Sequence, residues 1–376
     1  MKIVHVITSL KIGGAESALL NFLRADLNSG HEHYVAYFYP GPNLEKIKNL
    51  GIKTFCVSGL FSKYDLFAYL KLKKIIKNIN PDIIHSSLWL ANFYSKFIAK
   101  SLNIPIVCDL HSNFLHDGKL RKYLEYFNIL NANKYIAVSN NVKTGFLETF
   151  KSFKHKLEKK IIVINNGINI NNIINNNLNN ITKESLGFGK SDFIVGAVGR
   201  LEPIKLYNIL INAISVCNKN KYNNIKLCLV GSGSQEQELK KLSIKLGQAK
   251  NIFFAGSTDN PYIYYKLFNC FVISSKSEGL SISLLEAMAF GLPIISTVYE
   301  KKHEVLQDKI TGLLVKPGDI YAMANAIQNI YQDKIIAERI GAACAALVEK
   351  NYSINTVKDS YHKIFKQTYL EREKIV

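Results

Sequence analysis

Hydrophobic residues along this chain fall into short consecutive runs, separated by longer stretches in which they recur every three or four positions. The runs IVHVIT (3–8), YVAYFY (34–39), DIIHS (82–86), IPIVCDL (104–110), YIAVS (135–139) and IIVIN (161–165) are rich in β-branched residues and apolar on adjacent positions. That is the pattern of strands covered on both faces. A second set repeats it: FIVGAVG (193–199), IKLCLVG (225–231), NIFFAG (251–256), CFVISS (270–275), LPIIST (292–297) and GLLV (312–315). Between the runs the spacing is helical. A helix opening at Ala15 sets Ala18, Leu19, Phe22 and Leu23 on one face and stops at Gly30. A last helix after Tyr352 does the same with Val357, Tyr361, Ile364 and Phe365. Strands alternating with helices predict βαβ units and a parallel sheet in each half.

The halves are alike in pattern without being a sequence repeat, and 376 residues suit two domains. Asparagine dominates residues 165–180, which offer little apolar surface for a core. The expected organisation is a first domain over 1–168, an Asn-rich linker over 169–190, a second domain over 191–352 and a final helix over 353–376.

Composition narrows the classes further. A hydrophobic share of 48% and a charged share of 20% exclude wholesale disorder. The six cysteines are scattered without a C-x-x-C pair and mostly sit in apolar runs, which predicts buried thiols. The first apolar run is too short for a spanning helix and its flanks do not suit a signal peptide, so the expected location is cytoplasmic. Charge is the unusual feature: 48 Lys and Arg against 29 Asp and Glu, with 23 against 11 in residues 1–165 alone. Such a field favours a nucleic acid, a phosphorylated substrate or an acidic lipid surface, although AT-rich codon drift also enriches Lys, Asn and Ile. No helix-turn-helix, zinc-finger or RNP pattern accompanies the cations, which speaks against nucleic acid.

Candidate chemistry clusters where strands run into helices. Glu278-Gly279-Leu280-Ser281-Ile282-Ser283-Leu284-Leu285-Glu286 follows the run ending at Ser275, and its helix stops at Gly291. Backbone N–H groups of residues 279–283 at the start of that helix suit phosphate, and the two flanking carboxylates can accept hydrogen bonds from sugar or ribose hydroxyls. Gly199-Arg200 ends the first strand of the second half, with Lys205 five residues on. Two cations there can hold a diphosphate and neutralise it as it leaves. Arg200 directly follows an apolar strand, where an unpaired charge is costly. Gly13-Gly14-Ala15-Glu16 joins the first strand to the first helix and lets a ligand approach the backbone. Neither it nor Gly231-Ser232-Gly233-Ser234 is a G-x-G-x-x-G fingerprint, which weakens a nicotinamide dehydrogenase reading. His111 follows IPIVCDL and is a candidate contact for a sugar hydroxyl or an acceptor, whereas His5 and His85 lie in apolar strands as core or supporting residues. No D-x-D clamp and no His/Cys zinc cluster is apparent, so no metal and no cofactor is expected.

Taken in order, GGAES (13–17), NNGIN (165–169), VGRLEPIK (198–205), LVGSG (229–233), FFAG (253–256), EGLSISLLEAMAFGLPII (278–295) and TGLLVKPGD (311–319) resemble the GT4 family of GT-B glycosyltransferases over nearly the whole chain. The resemblance implies two Rossmann-like domains facing across a cleft, a nucleotide-diphosphate sugar donor, and a final helix crossing back to the N-terminal domain. It implies that Arg200 and Lys205 grip the diphosphate, Glu278 reads the donor sugar, and Glu286 reads the ribose, with Gly279, Leu280, Ser281 and Ile282 lining the same loop. Gly14 would approach the donor from the other domain and His111 would stand beside the reacting centre. The implied reaction is metal-independent sugar transfer with retention to a saccharide or lipid-linked saccharide; a GT-B epimerase or phosphorylase would share the scaffold. Two departures from the family pattern stand out: Tyr299-Glu300-Lys301-Lys302-His303 replaces a segment with two glycines and a proline, and Leu206 stands where a glycine often follows the lysine. Two segments mix Lys with apolar residues at helical spacing, Tyr69–Lys77 and Lys119–Phe127, and suit an anionic membrane surface as well as a core-packed helix.

Overall fold

The computed structural model describes residues 1–57, 66–112, 114–116, 118–170, 173, 181–219, 222–258, 260–276, 281–298 and 305–373. They form two compact units, one of Met1–Asn169 with Ser353–Val376 and one of Ile170–Tyr352.

The first unit is built on seven strands: β1 (Lys2–Ser9), β2 (Glu32–Tyr39), β3 (Lys53–Cys56), β4 (Ile83–Ser87), β5 (Ile106–Leu110), β6 (Lys134–Ala137) and β7 (Ile161–Val163). They pair in parallel in the order β3-β2-β1-β4-β5-β6-β7. The order reverses between β1 and β4, the kind of switch point at which open α/β sheets bind ligands beyond the carboxyl ends of their strands. Both faces are covered, which is why the strands read as unbroken apolar runs. On one face Leu72, Tyr94 and Phe146, from three helices, pack with Val4, Ile84 and Cys108. On the other, Leu19, Phe22 and Leu23 of helix Gly14–Asp26 meet Tyr361, Ile364 and Phe365 of the C-terminal helix Ile354–Glu373 over Val35 and Val107. Each such buried side chain contributes about 1.5–3 kcal/mol. The four apolar residues read onto one face of the last helix are all buried, so that face is what returns the chain end to the first unit.

Six strands form the second sheet: β8 (Phe193–Val198), β9 (Ile225–Val230), β10 (Ile252–Gly256), β11 (Cys270–Ile273), β12 (Ile294–Thr297) and β13 (Leu313–Val315). Their order, β10-β9-β8-β11-β12-β13, is again parallel, with the reversal between β8 and β11. Gly196 is required inside β8, because a Cβ there would lie 2.0 Å from the Phe268 ring.

The stretch expected as a linker, 169–190, is divided between the units at Asn169/Ile170. The second unit begins at Ile170, and Ile173, Leu186 and Phe188 are buried. These three apolar residues are packed; residues 171–172 and 174–180 lie outside those described. Among the described residues no helix is long and apolar enough to cross a membrane. All six cysteines are free and five are buried; burial pushes the Cys108 thiol up to about 12, consistent with inert packing.

Candidate functional site

In the second unit the loops after β8 and β11 lie side by side because those strands are neighbours. Gly199 leaves β8 with φ +158° and hands the chain to Arg200 and a short 3₁₀ turn, Pro203–Lys205. Two contacts fix this turn against the end of β11: Ser274 Oγ donates to the Lys205 carbonyl at 2.6 Å and the Lys276 N–H donates to the Ile204 carbonyl at 2.8 Å; a third ties its start to β9, where Gly199 N–H donates to Val230 O at 2.9 Å. Lys205 therefore stands beside Ser274–Lys276 at the carboxyl end of β11; Glu278, Gly279 and Leu280 lie outside the described residues. Arg200 is exposed, so the expected burial cost of leaving it unpaired does not arise; its place at the strand end, and not desolvation, marks it.

Leu206 closes the turn at φ +51°, the left-handed region that favours glycine. The family's usual glycine thus has a conformational reason, and this chain holds leucine in the same backbone state. Gly231 and Gly233 serve packing. A Cβ on Gly231 (φ +138°) would lie 2.0 Å from Gly199 O, and one on Gly233 would lie 2.4 Å from Leu201 O. With Leu201 N–H donating to Ser232 O and Ser234 Oγ donating to Glu202, these glycines brace the Arg200 loop.

Helix Ile282–Ala289 follows Ser281, and Glu286 lies just over one turn in. Its side chain is buried and accepts hydrogen bonds from Tyr265 Oη at 2.9 Å and Tyr262 Oη at 3.3 Å. Burial raises its pKa from 4.5 to about 7, and the two tyrosine hydroxyls oppose the rise without cancelling it. The tyrosines were not singled out from sequence; their signal is YIYY one strand earlier, in helix Tyr262–Tyr265. The segment Tyr299–His303, the family departure, lies outside the described residues.

In the first unit Gly14 opens helix Gly14–Asp26 at the carboxyl end of β1. A Cβ there would meet nothing within 4 Å, so no neighbour within the described residues demands glycine at that point. Glu16 turns back to accept a hydrogen bond from Ser9 Oγ at 2.5 Å. His111, just past β5, is nearly buried; its Nε2 faces Asp109 Oδ2 at 3.6 Å and makes no hydrogen bond. Asp109, which sequence reasoning passed over, organises this corner. Its Oδ2 takes hydrogen bonds from His85 Nε2 (2.8 Å), Ser87 Oγ (3.1 Å) and Tyr361 Oη (3.2 Å). Burial alone would raise its carboxyl, but His85 and His111 outweigh that and hold it below the usual carboxylate range. His85 is thus a supporting residue, one hydrogen bond removed from the carboxylate beside His111.

Two parallel-sheet units, each with a reversal of strand order, define an α/β protein of two Rossmann-like domains. Residues 12–172 match the family model described as Glycosyltransferase Family 4, and residues 179–345 the one described as Glycosyl transferases group 1. The lipopolysaccharide core biosynthesis glycosyltransferase LpsD of Rhizobium meliloti is 24% identical over 99% of this chain and 100% of its own length. A Campylobacter jejuni α-1,4-N-acetyl-D-galactosaminyltransferase acting on an undecaprenol-linked saccharide is 24% identical over 97% and 98%. The crystal structure of Anabaena Alr3699/HepE with UDP-glucose superposes with a TM-score of 0.86, at 21% identity, over 98% of this chain and all of that one. The chain belongs to the group 1 GT-B glycosyltransferases and is a transferase of that family.

Proposed function

We propose that the protein transfers a hexose-type sugar from a UDP-sugar to a saccharide or lipid-linked saccharide in cell-surface glycan synthesis, with retention and without a metal ion at the donor site. The observation that carries this is the Gly199–Lys205 turn held against the end of β11, which puts the chain segment bearing two cations at the sheet's switch point. HepE, whose fold the chain shares, is solved with UDP-glucose, and LpsD and the Campylobacter enzyme are named for lipopolysaccharide and polyprenol-linked substrates. In the step proposed, the acceptor oxygen bonds to the anomeric carbon as the carbon–oxygen bond to the diphosphate breaks. The acceptor proton passes to the departing phosphate oxygen, and UDP leaves with its added charge met by Arg200, Lys205 and the start of helix Ile282–Ala289. Glu278 is assigned to the donor sugar, His111 to the reacting centre and Gly14 to close approach of the donor. A panel of UDP- and GDP-sugars with lipid-linked acceptors, run with and without EDTA, tests the reading. Expected is α-product from an α-donor at an unchanged rate in EDTA; a strict need for Mg²⁺ or Mn²⁺, or no binding of any nucleotide sugar, overturns it.

Glu286 supplies a pH test. A carboxyl whose folded pKa lies above its unfolded value binds more protons when folded, so its contribution to stability is present below about pH 4.5 and is lost as pH rises through about 7. The full loss is about 3 kcal/mol. A ribose hydroxyl donates to the ionised form, so UDP affinity should rise severalfold between pH 6 and 8 in calorimetric titrations. Glu286→Gln should flatten that rise and should be more stable than the parent at pH 8. Equal UDP affinity at both pH values would remove Glu286 from the ribose.

The membrane-facing part of the proposal rests on exposed apolar side chains set among lysines. Helix Leu66–Ile79 buries Leu72 and Ile76 but leaves Phe67 72% exposed, and helix Lys119–Tyr126 with Phe127 exposes Leu120, Tyr123 and Phe127. Each nearby cation adds roughly 1 kcal/mol at an anionic surface. The protein should float with liposomes containing anionic lipid and be released by salt, and Phe67→Ser with Phe127→Ser should weaken flotation. Binding that ignores both lipid charge and salt would end this part of the reading.

A further inference from the structure

One cluster of buried polar groups not used by the proposed reaction lies at the amino end of β2, between helix Gly14–Asp26 and the C-terminal helix. Asp26, the last residue of its helix, has a side chain 0% exposed. Three imidazoles converge on it. His31 Nδ1 lies 3.1 Å and His33 Nε2 3.0 Å from Oδ2, and His362 Nε2 lies 2.7 Å from Oδ1.

The geometry of these contacts is unlike a set of ordinary hydrogen bonds. His31 does hydrogen-bond to Oδ2. Asp26 Oδ1 and His362 Nε2, however, are buried and form no hydrogen bond even though they stand 2.7 Å apart. Leaving two buried polar atoms unsatisfied costs free energy, which a cation bound by both would recover. Asp26, His31 and His362 each offer one ligand atom, and the three atoms lie within 4.8 Å of one another. Ligand bonds of about 2.0–2.2 Å in tetrahedral geometry place neighbouring donors roughly 3.4 Å apart, so the 3.1 and 2.7 Å contacts to Asp26 would open by less than about 1 Å around the ion. Two imidazoles with one carboxylate suit zinc and its neighbours, whereas Mg²⁺ and Ca²⁺ call for oxygen donors.

We propose that Asp26, His31 and His362 bind one divalent cation of the zinc class, which clamps the C-terminal helix onto the first helix and the turn entering β2. The three ligands come from those three elements, so the ion fastens a segment more than three hundred residues downstream to the beginning of the chain. His31 and His362, 17% and 23% exposed, give the ion a route in from solvent. His33 Nε2 lies 3.0 Å from the same Oδ2 that His31 faces, and the His33 ring is held from its other side by His5 Nε2 at 3.0 Å. The cluster lies at the opposite ends of the strands from Gly14 and His111, so the ion has a structural role separate from sugar transfer.

The test uses the full chain, stripped of metal and then titrated with Zn²⁺ alone, with calorimetry and elemental analysis for stoichiometry and thermal melting for stability. One zinc per chain is expected, with a rise in Tm of about 5 °C or more at saturation that Mg²⁺ does not reproduce. Asp26→Asn strikes a fully buried carboxylate and endangers folding, so the informative variant is His31→Gln/His362→Gln. It should fold, melt within a few degrees of the stripped parent, and lose both the stoichiometric zinc and the gain in Tm. The proposal is overturned if the parent takes up no stoichiometric zinc, if zinc leaves Tm unchanged, or if the double variant binds zinc as the parent does.

Discussion

Replacing Arg200 and Lys205 together by alanine is expected to lower kcat for sugar transfer by about 10⁴-fold, while the Kd for UDP-sugar weakens far less. A single donor aimed at charge that develops in the transition state is worth about 10²–10³ in kcat, and two that share one diphosphate fall short of full additivity. The asymmetry between kcat and Kd follows because the bridging oxygen gains its charge only as the glycosidic bond breaks. Stability should be nearly untouched, since Arg200 is exposed and the hydrogen bond that places Lys205 uses its backbone carbonyl, which alanine retains. The single variants separate the two cations: Lys205→Met keeps the stem without the charge, and its loss should resemble that of Lys205→Ala. Near-normal kcat in the double variant, measured with chelator present, would mean that some other group neutralises the leaving UDP. A loss confined to Kd would recast both residues as ground-state binders.

The same side chains show what could and could not be read from the chain alone. Twelve of the strands declared themselves because a parallel sheet covered on both faces demands unbroken apolar runs. β3 was missed, for it is a four-residue edge strand, KTFC, with none of its side chains buried. The placement of Arg200 and Lys205 after a strand and of Glu286 in a helix was legible, since local sequence sets those positions. Asp109 was not, since its role depends on Ser87, His85 and Tyr361, the last of them 252 residues away. Gly231 and Gly233 fell short of a dinucleotide fingerprint, and their need for glycine comes from the Gly199 and Leu201 backbone pressed against them, a contact across strands. The Asp26 cluster was hidden for the same reason: His31 is near in sequence, but His362 arrives only when the C-terminal helix folds back. Local order carries the elements and the strand-end residues, while groups assembled by tertiary return leave no spacing to detect.

Lys96 carries the largest stability effect expected outside the active site. It lies in helix Trp89–Leu102 with its side chain 0% exposed, forms an ion pair with the equally buried Glu125 of helix Lys119–Tyr126, and stands 5.8 Å above the Tyr135 ring. Lys96→Met should cost about 3–5 kcal/mol, because Glu125 is left charged in a dry interior with its second oxygen already lacking a hydrogen bond. The double change Lys96→Met with Glu125→Leu removes both charges and should recover most of that loss, so a double-mutant cycle in urea should show coupling of several kcal/mol. The pair also bears on the membrane-facing proposal, because it is the buried anchor of the helix that exposes Leu120 and Tyr123. Lys96→Met should therefore weaken flotation on anionic liposomes even under conditions where the rest of the first unit stays folded, and the double variant should restore it. A cost below about 1 kcal/mol for Lys96→Met would show that water reaches the pair, and full flotation by that variant would show that the helix holds its place without it.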